Sequence, residues 1–185
     1  MAEPEKANVA GVTIRPEASA DFAAIREMLV LAFSQEFPRD DVATLVEALR
    51  KSPGYVPDLA QVAVHDGAVI GHVMFTHIQI ESDSGNTPAM TLAPLAVHPT
   101  WHRQGVGSLL ARHGLQLCHQ LGHRIVTVIG HSSYYPRFGF IQASPLGIMM
   151  SHGRLEESKM VLGLTPDALD GVTGMVRLPS IFDDA

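Results

Sequence analysis

Cysteine is almost absent: Cys118 is the single thiol in 185 residues. That excludes an internal disulfide and suits a reducing cytoplasm. Long apolar runs are absent too, so nothing approaches the roughly 18 residues of a membrane span. The first residues, MAEPEKANVAGVTIRP, lack the basic-then-apolar order of a signal peptide, and residues 1–10 read as a flexible lead-in. Charge is sparse at 17% against 46% hydrophobic residues, a balance that belongs to a globular chain with a proper core. The net charge of −6 argues against bulk nucleic-acid binding. There is no internal repeat or low-complexity tract, and 1–185 reads as a single domain.

Taken in order, Val12–Pro16 reads as a short strand stopped by proline. Phe22, Ile25, Leu29 and Phe33 are spaced for a helix over Asp21–Phe33, with Ser19 or Ala20 near its cap. Ser34–Arg39 breaks the pattern. A second helix over Asp40–Arg50 carries Val42, Leu45, Val46 and Leu49 on one face, and Lys51–Pro57 reads as a loop. Asp66-Gly67 between Ala60–His65 and Val69–Glu81 is a tight hairpin signal. Ser82–Pro88 reads as a second hairpin loop leading into a strand over Met90–Val97. A helix over Val106–Leu121 stops at Gly122. Arg124–Ile129 is continuously apolar, as a central strand buried on both faces would be. Strand, helix and strand from Leu95 to Ile129 predict a right-handed crossover between parallel strands. Farther on, Met160–Leu164 and Gly171–Arg177 read as strands of a final hairpin, with a helical turn at Pro166–Leu169. Residues 144–185 would thus complete the sheet.

The stretch from Thr91 to Leu110, TLAPLAVHPTWHRQGVGSLL, organises the rest. A short apolar run is interrupted by Pro94, which cannot donate to a ladder and implies an edge, a bulge or a break. His98–Trp101 turn the chain, and Arg103, Gln104, Gly105, Val106 and Gly107 enter a helix. Glycines there let the backbone approach a ligand and leave the first helical N–H groups free. With the positive end of the helix dipole they form an anion site, and Arg103 adds a permanent charge. A P-loop is excluded because Ser108 and Leu109 follow Gly107 where Lys-Ser/Thr is needed. The dinucleotide fingerprint is excluded because its third glycine is Leu110. On spacing alone the glycines read equally well as helix caps.

Leu95-Ala96-Val97 followed by Arg103-Gln104-Gly105-Val106-Gly107-Ser108 resembles the acetyl-CoA signature of the GCN5-related N-acetyltransferase (GNAT) superfamily. Farther on, Ser132-Ser133-Tyr134-Tyr135-Pro136-Arg137-Phe138-Gly139-Phe140 resembles that superfamily's Tyr-x-x-Phe-Gly-Phe element. The pair is most similar to a subgroup of predicted bacterial acetyltransferases with a Tyr-Tyr-x-Arg-Phe-Gly-Phe block, and the similarity is densest from Met90 to Ala143. The resemblance implies an α/β fold: a mixed, mostly antiparallel sheet flanked by helices, with a V-shaped splay between two parallel central strands. It implies that acetyl-CoA is the cosubstrate, pairing along Leu95, Ala96 and Val97, with its pyrophosphate on N–H groups of Arg103 through Ser108. The reaction implied is direct attack of a primary amine in a ternary complex. The other reading is a coenzyme-A-binding sensor without turnover.

By the same resemblance Tyr135 faces the coenzyme sulfur, and a phenol can protonate a departing thiolate. A backbone N–H of Ala96 or Val97 would polarise the carbonyl. His102 departs from the pattern, which places Gln or Arg three residues before Gly105. No general base stands out: Glu36, His72, His77 and His131 are candidates. Ten histidines invite a metal, yet no spacing matches a zinc motif, so none is expected. Cys118, among Leu115, Leu117 and Leu121, reads as a buried helical thiol. The acceptor could be a small amine, an antibiotic, an amino acid, or a protein N-terminus or lysine. An acidic surface tolerates a cationic acceptor, and an apolar C-terminal hairpin would suit a homodimer.

Overall fold

The computed structural model describes residues 9–34, 41–152 and 155–182. Their strands are β1 (Val12–Pro16), β2 (Tyr55–His65), β3 (Ala68–Ser82), β4 (Gly85–Val97), β5 (Ile125–Ile129), β6 (Ile141–Gln142), β7 (Ile148–Met150), β8 (Lys159–Gly163) and β9 (Gly174–Arg177). The α-helices are α1 (Phe22–Phe33), α2 (Asp41–Leu49) and α3 (Val106–Gln120). One sheet runs β1-β2-β3-β4-β5-β8-β6, with β9 joined to β3 and β7. Pairing is antiparallel except at β4–β5 and β7–β9. This is the mixed, mostly antiparallel sheet flanked by helices that the sequence predicts.

Alternation along β3 sorts the two layers. Val73 and Phe75 pack with Val106, Leu110, Leu115 and Cys118 of α3. Met74 points the other way, into Ile25, Leu29, Val46 and Leu49 of α1 and α2. Two glycines let α3 settle onto the sheet: a Cβ on Gly114 would stand 2.2 Å from Phe75 Cε2, and one on Gly71 2.8 Å from Leu110 Cδ1. Asp66 and Gly67 both take positive φ, as a two-residue hairpin turn demands. Gly122 takes φ +86 just past α3.

The centre of the sheet opens. β4 pairs with β3 as far as Val97, but with β5 only at Met90↔Val126 and Thr91↔Thr127. β5 meanwhile holds β8 along its whole length. The two parallel strands therefore part after Thr91. Here β4 also bulges: Leu92 faces Phe75 and Leu95 faces Val73, so Ala93 and Pro94 together oppose Met74. The Ala93–Pro94 peptide is cis. Of the three options that Pro94 leaves open, the structure takes two: a bulge, on the part of β4 that β5 leaves as an edge.

Several boundaries differ from expectation. β2 begins at Tyr55, because Tyr55 pairs with Thr76 across an irregular stretch that proline and glycine content reads as loop. β3 and β4 pair out to Ser82↔Gly85, so the polar segment 82–88 is mostly exposed strand, with Asp83-Ser84 at its tip. Ser19 gives α1 no side-chain cap; a 3-10 turn precedes the helix, and Asp21 accepts the Ala18 N–H at 2.8 Å. The two late strands do not form a hairpin. β8 adds to β5 and β6, and β9 adds to β3 and β7. Most of the lead-in, the 35–39 part of the break after α1, and Glu36 lie outside the described residues.

Candidate active site

The turn from β4 into α3 is held by its own side chains. His98 Nδ1 accepts the Thr100 N–H at 3.3 Å and lies 2.8 Å from Thr100 Oγ1. Gln104 Nε2 donates to Thr100 O at 2.8 Å. Arg103 and Gly105 take φ of +60 and +90, which swings the chain into the helix. Leu109 N–H bonds to Gly105 O, so the N–H groups of Val106, Gly107 and Ser108 before it have no helical acceptor. These donors, with the exposed Arg103 side chain beside them, are where an anion could be held.

Beside this turn runs the free edge of β4. His98 N–H bonds to Ile70 O on β3. Alternation then turns the backbone of Ala96 toward β3 as well, and that of Leu95 and Val97 toward the gap left by β5. His102 Nε2 donates to Val97 O at 2.8 Å, which pins the turn to the strand end. That bond explains the histidine where the resemblance expects Gln or Arg. Of the three strand residues, Leu95 and Val97 offer N–H groups to the gap, while Ala96 is committed to His72 on β3.

The segment after β5 closes the other wall. A Cβ on Gly130 would stand 2.4 Å from Tyr135 Cε2, so the Tyr135 ring lies on the end of β5. Tyr135 is buried and meets Phe140, Phe138 and Tyr134 edge to face. Burial, then the Tyr134 phenol, raises its pKa above the ordinary phenol value, so it stays protonated. Tyr134 reaches across to α3: a Cβ on Gly107 would be 2.9 Å from its Oη. Arg137 lies 4.5 Å over the Tyr134 ring, with its Nε donating to Tyr134 O at 2.9 Å. Residues 134 to 138 thus join the end of β5 to the start of α3. The structure brings Val97, Gly107 of the 103–108 turn and Tyr134 together, with Tyr135 beside them on Gly130 at the end of β5.

The remaining candidates scatter. His131 is exposed on the loop after β5. His77 is exposed on β3 and meets His123 at 4.9 Å, whose pKa falls through burial and then the His77 charge. Among the described residues no three His, Cys, Asp or Glu side chains cluster as metal ligands. Cys118 is fully buried, and burial pushes its thiol up to about 12. His72 is different: it is fully buried, and its Nε2 lies 2.9 Å from Glu17 Oε2. The Glu17 carboxylate also accepts Arg50 Nε and Nη2 at 2.8 Å each and Tyr55 Oη at 2.9 Å. This buried network was not legible in the sequence, since its members come from four separate segments; a histidine inside an apolar strand was the single cue.

These walls and this turn match known proteins. The sequence pattern described as the acetyltransferase (GNAT) family covers residues 22–140. The chain is 33% identical over 171 residues to the uncharacterized N-acetyltransferase YhbS of Escherichia coli (strain K12), covering 92% of this chain and 98% of that one. The uncharacterized N-acetyltransferase YjhQ of the same strain is 36% identical over 121 residues, 65% of either chain. The crystal structure of E. coli YhbS in complex with CoA superposes with a TM-score of 0.82 and 30% identity, covering 93% of this chain and 92% of that one. A GNAT family acetyltransferase from Brucella melitensis, in complex with acetyl-CoA, gives 0.74 and 28% over 93% and 98%. A sheet that parts after Thr91 and a match spanning α1 to Phe140 lead to one conclusion: the chain belongs to the acetyltransferase (GNAT) family.

Proposed function

We propose that this chain moves the acetyl group of acetyl-CoA to a primary amine by direct attack in a ternary complex. The observation that carries the reading is the unpaired edge of β4 beyond Thr91, which runs straight into the free N–H groups of α3. An extended pantetheine arm is a strand-like partner for such an edge. A pyrophosphate suits the N–H groups of Val106, Gly107 and Ser108, with Arg103 beside them. The side chain of Gln104 braces the turn instead, so Gln104 and Gly105 contribute through backbone alone.

Of the two N–H groups expected to polarise the thioester carbonyl, that of Val97 faces the gap and takes the role, with the Leu95 N–H beside it, and that of Ala96 does not. The amine nitrogen bonds to the carbonyl carbon and the carbon–sulfur bond breaks. Tyr135 gives its phenolic proton to the departing thiolate and is restored from the nitrogen that has become an amide. Closing the site with the buried aromatic segment excludes water that would compete with the amine.

The acceptor is an amine of small-molecule or peptide origin, and the acidic chain favours a cationic one. The reading places the protein in the cytoplasm as a single unit over 1–185, free of metal and of nucleic acid; among the described residues no helix is long and apolar enough to cross a membrane. The homodimer expected from a C-terminal hairpin loses its basis, because β8 and β9 are not paired. The reading is tested by thiol release from acetyl-CoA over a panel of primary amines. Turnover with at least one amine is expected; tight coenzyme binding with no turnover on any would favour the sensor.

A further inference from the structure

The described arginines divide into two groups. Arg15, Arg26, Arg50, Arg124 and Arg177 each meet a carboxylate, on Asp21, Glu47, Glu17, Asp167 and Glu81 respectively. Arg103, Arg112 and Arg137 meet none among the described residues, in a chain whose net charge is −6. All three are exposed, and all three border the start of α3 or the 134–138 segment packed against it. Two of them are also held in place. Arg137 Cζ lies 4.5 Å over the Tyr134 ring, and its Nε donates to Tyr134 O. Arg112 Cζ lies 5.3 Å over the Phe138 ring, and the two rings are themselves 5.3 Å apart. A guanidinium laid on an aromatic face is ordered without spending its terminal N–H donors.

Their place relative to the helix start gives these donors a use. Tyr134 Oη reaches Gly107, so the ring under Arg137 stands at the first turn of α3. Ser108 and Arg112 are four residues apart on α3 and share one face. Arg112 is therefore about 6 Å along the axis from the free N–H groups. In CoA one ribose, of comparable length, separates the pyrophosphate from the 3′-phosphate. That 3′-phosphate is the coenzyme's one phosphomonoester. It carries about two negative charges at neutral pH, where each phosphate of the pyrophosphate bridge carries a single one. Planar guanidinium forks suit such a group better than isolated N–H donors do.

We propose that Arg112 and Arg137 clamp the 3′-phosphate of the coenzyme, so that this chain selects CoA over dephospho-CoA. The inference rests on the acetyl-transfer reading above. Arg103 stays with the pyrophosphate, on the turn that enters α3. The clamp is remote from the thioester and holds ground state and transition state alike. It therefore acts on the affinity for acetyl-CoA and leaves the rate of the bound complex in place.

The test is calorimetric titration of CoA and of 3′-dephospho-CoA into the full chain, as wild type, Arg112→Gln, Arg137→Gln and the double variant, with melting curves to show that each is folded. Wild type should bind CoA about tenfold or more tighter than dephospho-CoA. Each single variant should narrow that gap. The double variant should close it to within about twofold by weakening CoA alone, with dephospho-CoA bound as in wild type. Should the double variant not fold, competition in wild type decides: 3′-phosphoadenosine 5′-diphosphate should displace CoA about tenfold or more better than ADP does. Equal affinity of wild type for CoA and dephospho-CoA overturns the inference and spares the acetyl-transfer reading. So does a folded variant that loses both ligands alike, or one that keeps the full gap. Binding of neither ligand to wild type overturns both.

Discussion

At the scale of single residues, acetyl transfer depends most on one phenolic proton. Tyr135→Phe keeps the ring that packs on Gly130, Phe138 and Phe140 and removes the donor alone. Turnover should fall on the order of 100-fold, while the dissociation constant for CoA stays within about twofold; steady-state rates beside a calorimetric titration check both. Stability depends on Glu17. Burial alone would raise its pKa, but the hydrogen bonds from Arg50 and His72 and their charges win, and the carboxyl is lowered to about 2. A depressed carboxyl contributes stability above its unfolded pKa, and that contribution is lost as pH falls through the folded one. The loss should therefore run from roughly 4.5 down to about 2, and amounts to about 3 kcal/mol. Glu17→Gln leaves Arg50 buried opposite a neutral amide and should cost about 3 kcal/mol at neutral pH. Its denaturant midpoint should lie well below that of wild type at pH 7 and approach it near pH 2, whereas parallel curves would detach Glu17 from acid stability.

At the scale of elements, the site depends on how β5 ends. Gly130 lies under the Tyr135 ring, so Gly130→Ala must push that ring from the end of the strand. Activity should drop at least tenfold with the melting temperature lowered by only a few degrees, as measured by thiol release and calorimetry. This junction also shows what a sequence can and cannot say. The glycines at 105 and 107 and the Tyr135–Phe140 run are contiguous, so local chemistry announces both. The bulge at Ala93–Pro94 was half legible, because proline excludes regular pairing without choosing how. The late strands misread because a strand's partner is a long-range choice: β8 and β9 carry the right period, but nothing local tells them to join β5 and β3 rather than each other. The Glu17–Arg50–Tyr55–His72 network was illegible for the same reason, its members meeting only after α2 and β2 have docked on β3. Ala96 misled for a different reason, since a run of apolar residues does not reveal which backbone groups face the open edge.

At the scale of the whole molecule, the coenzyme would lie along three adjoining parts: the edge of β4, the start of α3 and the 134–138 segment. Binding only to the folded chain, CoA at about 100 times its dissociation constant should stabilise by about 2.7 kcal/mol. For a chain of this length that is a rise of roughly 5–10 °C in melting temperature, read by differential scanning fluorimetry. Pantetheine, which lacks the pyrophosphate, should give much less. The most direct test of the central claim is a calorimetric titration of acetyl-CoA and desulfo-CoA into wild type and Gly105→Trp, with melting curves to show that the variant is folded. The account predicts binding in the micromolar range for both ligands in wild type and its loss in the variant, because a bulky side chain at φ +90 disrupts the turn that presents the first N–H groups of α3. Heat-silent wild type, or a folded variant that binds as wild type does, would contradict it and leave Gly105 and Gly107 as helix caps.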